Sequence, residues 1–185
     1  MKRVDYRDID YLLCYMNQDT EEKKVDLSVL CKLDDFCIPM PRGFIKASDE
    51  YVKAKYFSKN RPQIVFKDEN GESNLMLQSM KRDLVNESDD LKSAKRAIYF
   101  NDSTVRVYDE GKIIKENYTA VWFDYKNFVS NECIYNLLFI ISAGRRSVFG
   151  AFNCMFENYD IWKPIVLKIL KNVRIEVNNN EGILD

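Results

Sequence analysis

The stretch Thr119–Glu176, TAVWFDYKNFVSNECIYNLLFIISAGRRSVFGAFNCMFENYDIWKPIVLKILKNVRIE, decides the fold. In its opening residues Val121, Phe123 and Tyr125 alternate with Ala120, Trp122, Asp124 and Lys126, the period-two pattern of a strand with one apolar and one mixed face. Cys133–Ile141 is apolar on nearly both faces, which predicts a central strand covered above and below. Beyond Gly144-Arg145-Arg146, Ser147–Phe156 is built the same way. Val148, Gly150, Phe152, Cys154 and Phe156 lie on one side, and Phe149, Ala151, Asn153 and Met155 on the other. Two such neighbours require a sandwiched sheet.

One covering layer follows in sequence. A helix is predicted over about Asp160–Lys171, with Trp162, Ile165, Val166 and Ile169 on one stripe and Asp160, Lys163, Lys168 and Lys171 off it. Pro164 has no amide to donate, so it is expected in or next to the first turn, which sets a late helix start. Val173–Val177 alternates as a short closing strand.

Upstream, Phe36–Pro41 reads as a strand that ends at prolines, and Ser48-Asp49-Glu50 starts a short helix ending near Ser58. Gln63–Lys67 and Ser73–Ser79 form a predicted hairpin over Asp68-Glu69-Asn70-Gly71. Gly71 is misplaced for a calcium loop of the EF-hand kind. Ser88-Asp89-Asp90 opens a second helix that runs through Leu91, Ala94 and Ile98 to about Asn101. Thr104–Tyr108 and Lys112–Asn117 flank Asp109-Glu110-Gly111 and predict a further hairpin. Ile9, Leu12, Leu13 and Met16 have helical spacing ahead of a polar run, so residues 1–24 read as an extension, 25–177 as a single domain and 178–185 as a polar tail.

Composition excludes more than it assigns. The chain has 185 residues, 46% of them hydrophobic, which suits one domain with a single sizeable core. Lys plus Arg number 28 against 29 Asp plus Glu, so no global field draws nucleic acid or an anionic membrane. The absence of His removes the usual general base and the commonest metal ligand. Five Cys without a C-x-x-C pair suit reduced thiols and predict a cytoplasmic protein. The apolar run Tyr11–Met16 is too short and too acid-flanked for a secretory signal or a membrane span. Cys31 and Cys37 lack the second close pair of a tetrahedral zinc site, and Cys133 and Cys154 lie in apolar runs that disfavour thiolate. No catalytic, cofactor or metal residue is assigned.

Several segments together resemble one known family. They are Phe152-Asn153-Cys154 leading to Trp162-Lys163-Pro164-Ile165 and Ile169-Leu170-Lys171-Asn172-Val173, with Pro39-Met40-Pro41-Arg42-Gly43-Phe44, Lys55-Tyr56 and Arg61-Pro62 upstream. Over about Cys31–Val177 the chain resembles the Mog/PsbP-like superfamily. The resemblance implies an α+β fold, a three-layer α/β/α sandwich with a mainly antiparallel central sheet. It also implies a non-enzymatic role, because members of that superfamily act mostly by binding proteins: a photosystem subunit, a regulator of a nuclear-transport GTPase, and bacterial adaptors for secreted effectors. None of their binding residues transfers to this chain, since the matching positions are core positions.

The expected function is therefore a protein-binding module acting on one or more proteins as an adaptor, chaperone or immunity-type protein. The alternative is a small-molecule or lipid-binding module with a cleft between sheet and helices. Candidate partner-binding residues are Trp122 and Phe128 as an aromatic patch, Arg145 and Arg146 as a carboxylate or phosphate clamp, and Arg61 on the rim. For Trp122, burial under a covering helix is the favoured reading.

Burying the four stripe residues of the last helix is worth about 1.5–3 kcal/mol each, which rivals the ~5–15 kcal/mol net stability of a domain. A fragment ending before Asn158 is accordingly predicted to be insoluble, and a soluble fragment with a cooperative melt would contradict this.

Overall fold

The computed structural model describes residues 26–57, 61–81, 87–129 and 131–176. The predicted amphipathic helix near the N-terminus and the polar tail lie outside the described residues, as does Cys14. Among the described residues there are ten strands: β1 (Val29–Leu33), β2 (Phe36–Met40), β3 (Ile45–Lys46), β4 (Ile64–Lys67), β5 (Asn74–Lys81), β6 (Arg106–Ile114), β7 (Thr119–Val129), β8 (Glu132–Ala143), β9 (Arg146–Met155) and β10 (Arg174–Ile175). The helices among these residues are α1 (Asp49–Lys55), α2 (Glu87–Asn101) and α3 (Tyr159–Lys171), the last preceded by a 3-10 turn over Phe156–Asn158.

Seven strands form one antiparallel sheet in the order β3-β4-β5-β9-β8-β7-β6, and β1-β2-β10 form a small second sheet. The doubly apolar strands β8 and β9 sit inside the large sheet, as their sequence requires. Side chains on one face, among them Ala120, Trp122, Tyr135, Leu137, Phe139, Ile141 and Phe152, pack with Val166, Ile169 and Leu170 of α3 and with Phe36, Ile38 and Met40 of β2. Side chains of opposite parity, Val121, Phe123, Leu138, Ile140 and Ala151, pack with Leu91 and Ile98 of α2. The result is the expected α+β sandwich of three layers, with the small sheet beside α3 in one outer layer.

The two-residue connection Gly144-Arg145 joins β8 to β9, and Gly144 takes the positive φ of 57° that this tight turn demands. Pro39 lies within β2, and both β1 and β10 pair with that strand. At the β1–β2 turn Asp35 forms an ion pair with Arg146, and Asp34 accepts a hydrogen bond from Ser79. These contacts tie the small sheet to the end of β5 and β9.

Three expectations are corrected. Thr104–Tyr108 and Lys112–Asn117 are not two strands around a turn at Asp109-Glu110-Gly111. They belong to the single strand β6, and the hairpin turn falls at Glu116-Asn117, where the Lys115 amide donates to the Tyr118 carbonyl at 2.9 Å. A bulge between Val107 and Asp109 breaks the period-two pattern and gives the run its look of a turn. The last helix starts at Tyr159, one residue ahead of the expected Asp160, so Pro164 stands in its second turn and not its first. Burial of Phe156 and Tyr159 anchors that early start, and the bond lost at Pro164 lies on the exposed side with Asp160. Lys163 is not off the buried stripe but is only 3% exposed.

Gly150 faces Phe139 across the β8–β9 pair, and a Cβ there would stand 2.1 Å from the ring. Gly150→Ala should destabilise the fold by about 1–3 kcal/mol through overpacking, read as a lower urea midpoint with an unchanged slope.

Candidate partner-binding site

The unusual chemistry of this protein lies on the mixed face of β7. Asp124, Lys126 and Lys163 are all buried, at 0%, 1% and 3% exposure. The Lys163 ammonium reaches down from α3 to Asp124 Oδ2 at 2.9 Å and to Asp109 Oδ2 at 3.0 Å. Asp124 also accepts from the Tyr135 hydroxyl at 2.9 Å and from the Asp109 amide at 2.8 Å. A buried carboxylate is tolerated here because each oxygen has a donor or a cation.

The bulge in β6 makes this cluster possible. Val107 lies opposite Tyr125, yet Asp109 lies opposite Asp124, so Tyr108 is the extra residue and the side-chain phase reverses after it. Asp109 thereby joins the α3 face, while Glu110 and Lys112 turn to the α2 face. Tyr108 packs near Phe156, with ring centroids 5.9 Å apart, and Lys126 Nζ stands 5.1 Å from the Phe156 centroid and 5.8 Å from that of Tyr108. Trp122 belongs to the same cluster, with Lys163 Nζ 5.3 Å from its ring. Gly111 faces this ring directly, since a Cβ there would meet it at 2.8 Å.

Over the reverse face of β6 and β7, beneath α2, runs an open groove of about 380 Å³. Leu91, Val121 and Phe123 form its buried floor. Its rim carries Lys92, Lys95 and Lys112 against one acid, Glu110. Lys95 Nζ lies 2.6 Å from Glu110 and 5.6 Å from the centre of the Phe123 ring, and Lys92 lies 3.3 Å from Asp89. Lys112 is exposed and has no ion-pair partner among the described residues. This pattern of apolar floor and cationic rim comes from β6, β7 and α2 together.

The five residues singled out from sequence are not brought together. Trp122 is 7% exposed and is held in the core, in line with the favoured reading. Phe128 is 42% exposed, at the far end of β7. Cys133 pairs with Phe128 and Ser142 with Thr119, so the Arg145 turn lies roughly 30 Å from Phe128 along the strands. Arg145 is exposed there, whereas Arg146 is engaged by Asp35. Arg61 Nε donates to the Tyr56 carbonyl at 2.9 Å, just past α1. Sequence reading missed Lys163, Asp109 and the lysine rim. Only the two charged residues on the otherwise half-buried strand β7, Asp124 and Lys126, signalled that a buried partner was needed.

Thiol chemistry finds no support in the core. Burial pushes the Cys31 thiol up to about 11 and raises that of Cys154 still further. Among the described residues no three acidic, His or Cys side chains are grouped to hold a metal ion, and no helix is long and apolar enough to cross a membrane.

No family model matches this sequence, and no curated protein matches it either. Its architecture does have known counterparts. The solution structure of cyanobacterial PsbP (CyanoP) from Synechocystis sp. PCC 6803 superposes with a TM-score of 0.59 at 12% identity, over 82% of this chain and 95% of that one. The Ran-binding protein Mog1p of Saccharomyces cerevisiae gives 0.53 at 7% identity, over 80% and 94%. LpqN of Mycobacterium tuberculosis, a protein involved in cell envelope biogenesis, gives 0.55 at 9% identity, over 77% and 83%. The chain has the Mog1/PsbP-like fold, as its motifs led one to expect.

Replacing Lys163 with Met would remove the ammonium that bridges buried Asp124 and Asp109, and should cost about 3–5 kcal/mol. In Lys163→Met/Asp124→Asn the loss should be smaller than in Lys163→Met alone, because the neutral amide no longer needs the ammonium. A double-mutant cycle on urea midpoints measures the difference.

Proposed function

We propose that this chain is a non-enzymatic protein-binding module, of the adaptor, chaperone or immunity type, that takes its partner at the α2–β6 groove. The observation that carries this reading is the apolar floor of Leu91, Val121 and Phe123, set beside β6, the edge strand of the sheet among the described residues, and ringed by lysines. An apolar centre with a polar rim is the usual anatomy of a protein interface. The Ran-binding activity named for Mog1p supports the reading at the level of fold. A cytoplasmic setting suits the four buried free thiols Cys31, Cys37, Cys133 and Cys154.

A second reading is a small-molecule binder. It is favoured by one observation, the groove volume of about 380 Å³, which falls within the range of ligand sites. The chemistry of the rim would then select an anionic ligand.

Affinity capture from host lysate should be run with the wild type and with Lys92→Glu/Lys112→Glu, and native mass spectrometry should be applied to the purified protein. The expected result is a stoichiometric protein bound by the wild type and lost from the variant. A small anionic molecule that co-purifies, with no bound protein, would establish the second reading instead.

A further inference from the structure

The large sheet has two edges. One is β3, only two residues long, and the other is β6, with nine. The hydrogen-bond register shows what β6 offers. Because the Lys115 amide bonds to the Tyr118 carbonyl, Lys115 and Tyr118 form a bonded pair, and bonded pairs alternate with non-bonded ones along an antiparallel ladder. Ile113 and Gly111 therefore bond inward to β7, while the main-chain groups of Ile114, Lys112 and Glu110 point outward.

The outward amide of Glu110 is already taken by Asp109 Oδ1, at 2.8 Å. Those of Lys112 and Ile114 meet no further strand among the described residues. Natural edge strands are blunted by bulges and charge. Here the bulge guards only the first half, around Tyr108, whereas the second half keeps an unbroken register from Asp109 to Ile114. Ile114, on the side of the groove, is 74% exposed.

We propose that the second half of β6 receives an extended acidic segment of a partner protein, which adds to the sheet as an eighth strand. This rests on the protein-binding reading and names the partner's chemistry. The outward groups of Lys112 and Ile114 supply the main-chain bonds, as in strand addition generally. Charge complementarity selects the sign: the rim has three lysines to one glutamate, and Lys112 has no ion pair among the described residues. Alternate side chains of the added strand then face the groove, so a sequence alternating acidic and β-branched residues turns its acids to the lysine rim and its β-branched residues to the opposite face, on the side of Ile113.

The test uses the full chain and a fluorescein-labelled octapeptide of alternating Glu and Val, with alternating Lys and Val as control, read by fluorescence anisotropy. The acidic peptide should bind roughly tenfold or more tightly than the basic one. Lys112→Glu should lose roughly tenfold through charge. Ile114→Pro should lose a similar factor by removing one outward amide, at an edge position where proline keeps the inward ladder. Circular dichroism checks that both variants remain folded. Saturation with the peptide should slow amide exchange at Lys112 and Ile114 and leave Gly111 and Ile113, already bonded inward, unchanged.

Equal binding of the two peptides, no binding at about 1 mM, or unchanged exchange at Lys112 and Ile114 would each overturn the proposal. A natural partner captured by the wild type and bound equally well by Lys112→Glu and Ile114→Pro would also refute it, and would leave the protein-binding reading standing.

Discussion

The Lys163 ammonium, held between Asp109 and Asp124 under α3, is the contact on which the upper half of the sandwich depends. It joins a helix of the outer layer, the inner strand β7 and the edge strand β6 in one interaction. An ion pair with so little water around it is stabilising only while every member stays in place, because removing one leaves a buried charge uncompensated. The Tyr135 hydroxyl and the Asp109 amide complete the shell of Asp124. The bulge that places Asp109 on this face also sets Gly111 opposite Trp122 and turns Lys112 toward the groove.

Most of the fold could be read from residue periodicity. Strands β7, β8 and β9 carry alternating or doubly apolar patterns, and the helix behind them repeats apolar residues every three to four positions. Such patterns are written locally and survive without tertiary knowledge. What was not legible depended on a distant partner. The region of β6 looked like two strands and a turn because its single extra residue, Tyr108, cancels the alternation that identifies a strand. Pro164 was expected in or next to the first turn, yet with Phe156 and Tyr159 buried the helix starts at Tyr159 and Pro164 falls in its second turn. The short strands β1 and β10 exist only because β2 lies between them.

The candidate site was less visible still. Lys163 looked like one more solvated lysine on a helix rich in them, and no local pattern separates it from Lys168 or Lys171. Its partners come from two strands far away in sequence. The groove has the same origin, since its lysines are ordinary surface residues until α2 and β6 are set side by side. Trp122 and the two arginines drew notice as strong chemical types. The structure gives Trp122 a core position and Arg146 an ion pair with Asp35.

Strand order also carries a consequence for how the chain is made. β6 to β9 form a meander of sequential hairpins, closed by short turns, and α3 follows at once to cover it. The β4–β5 hairpin is made early, but its place in the sheet is beside β9, and Asn74 meets Asn153 across 79 residues. A ribosome adding ~5–20 residues per second needs roughly 4–16 s to cover that gap. The small sheet waits longer, since β2 needs β10 from the other end of the described chain. During synthesis the N-terminal half therefore stands as unpaired strand edges, and its safety in the cell is set by how quickly the C-terminal meander is completed.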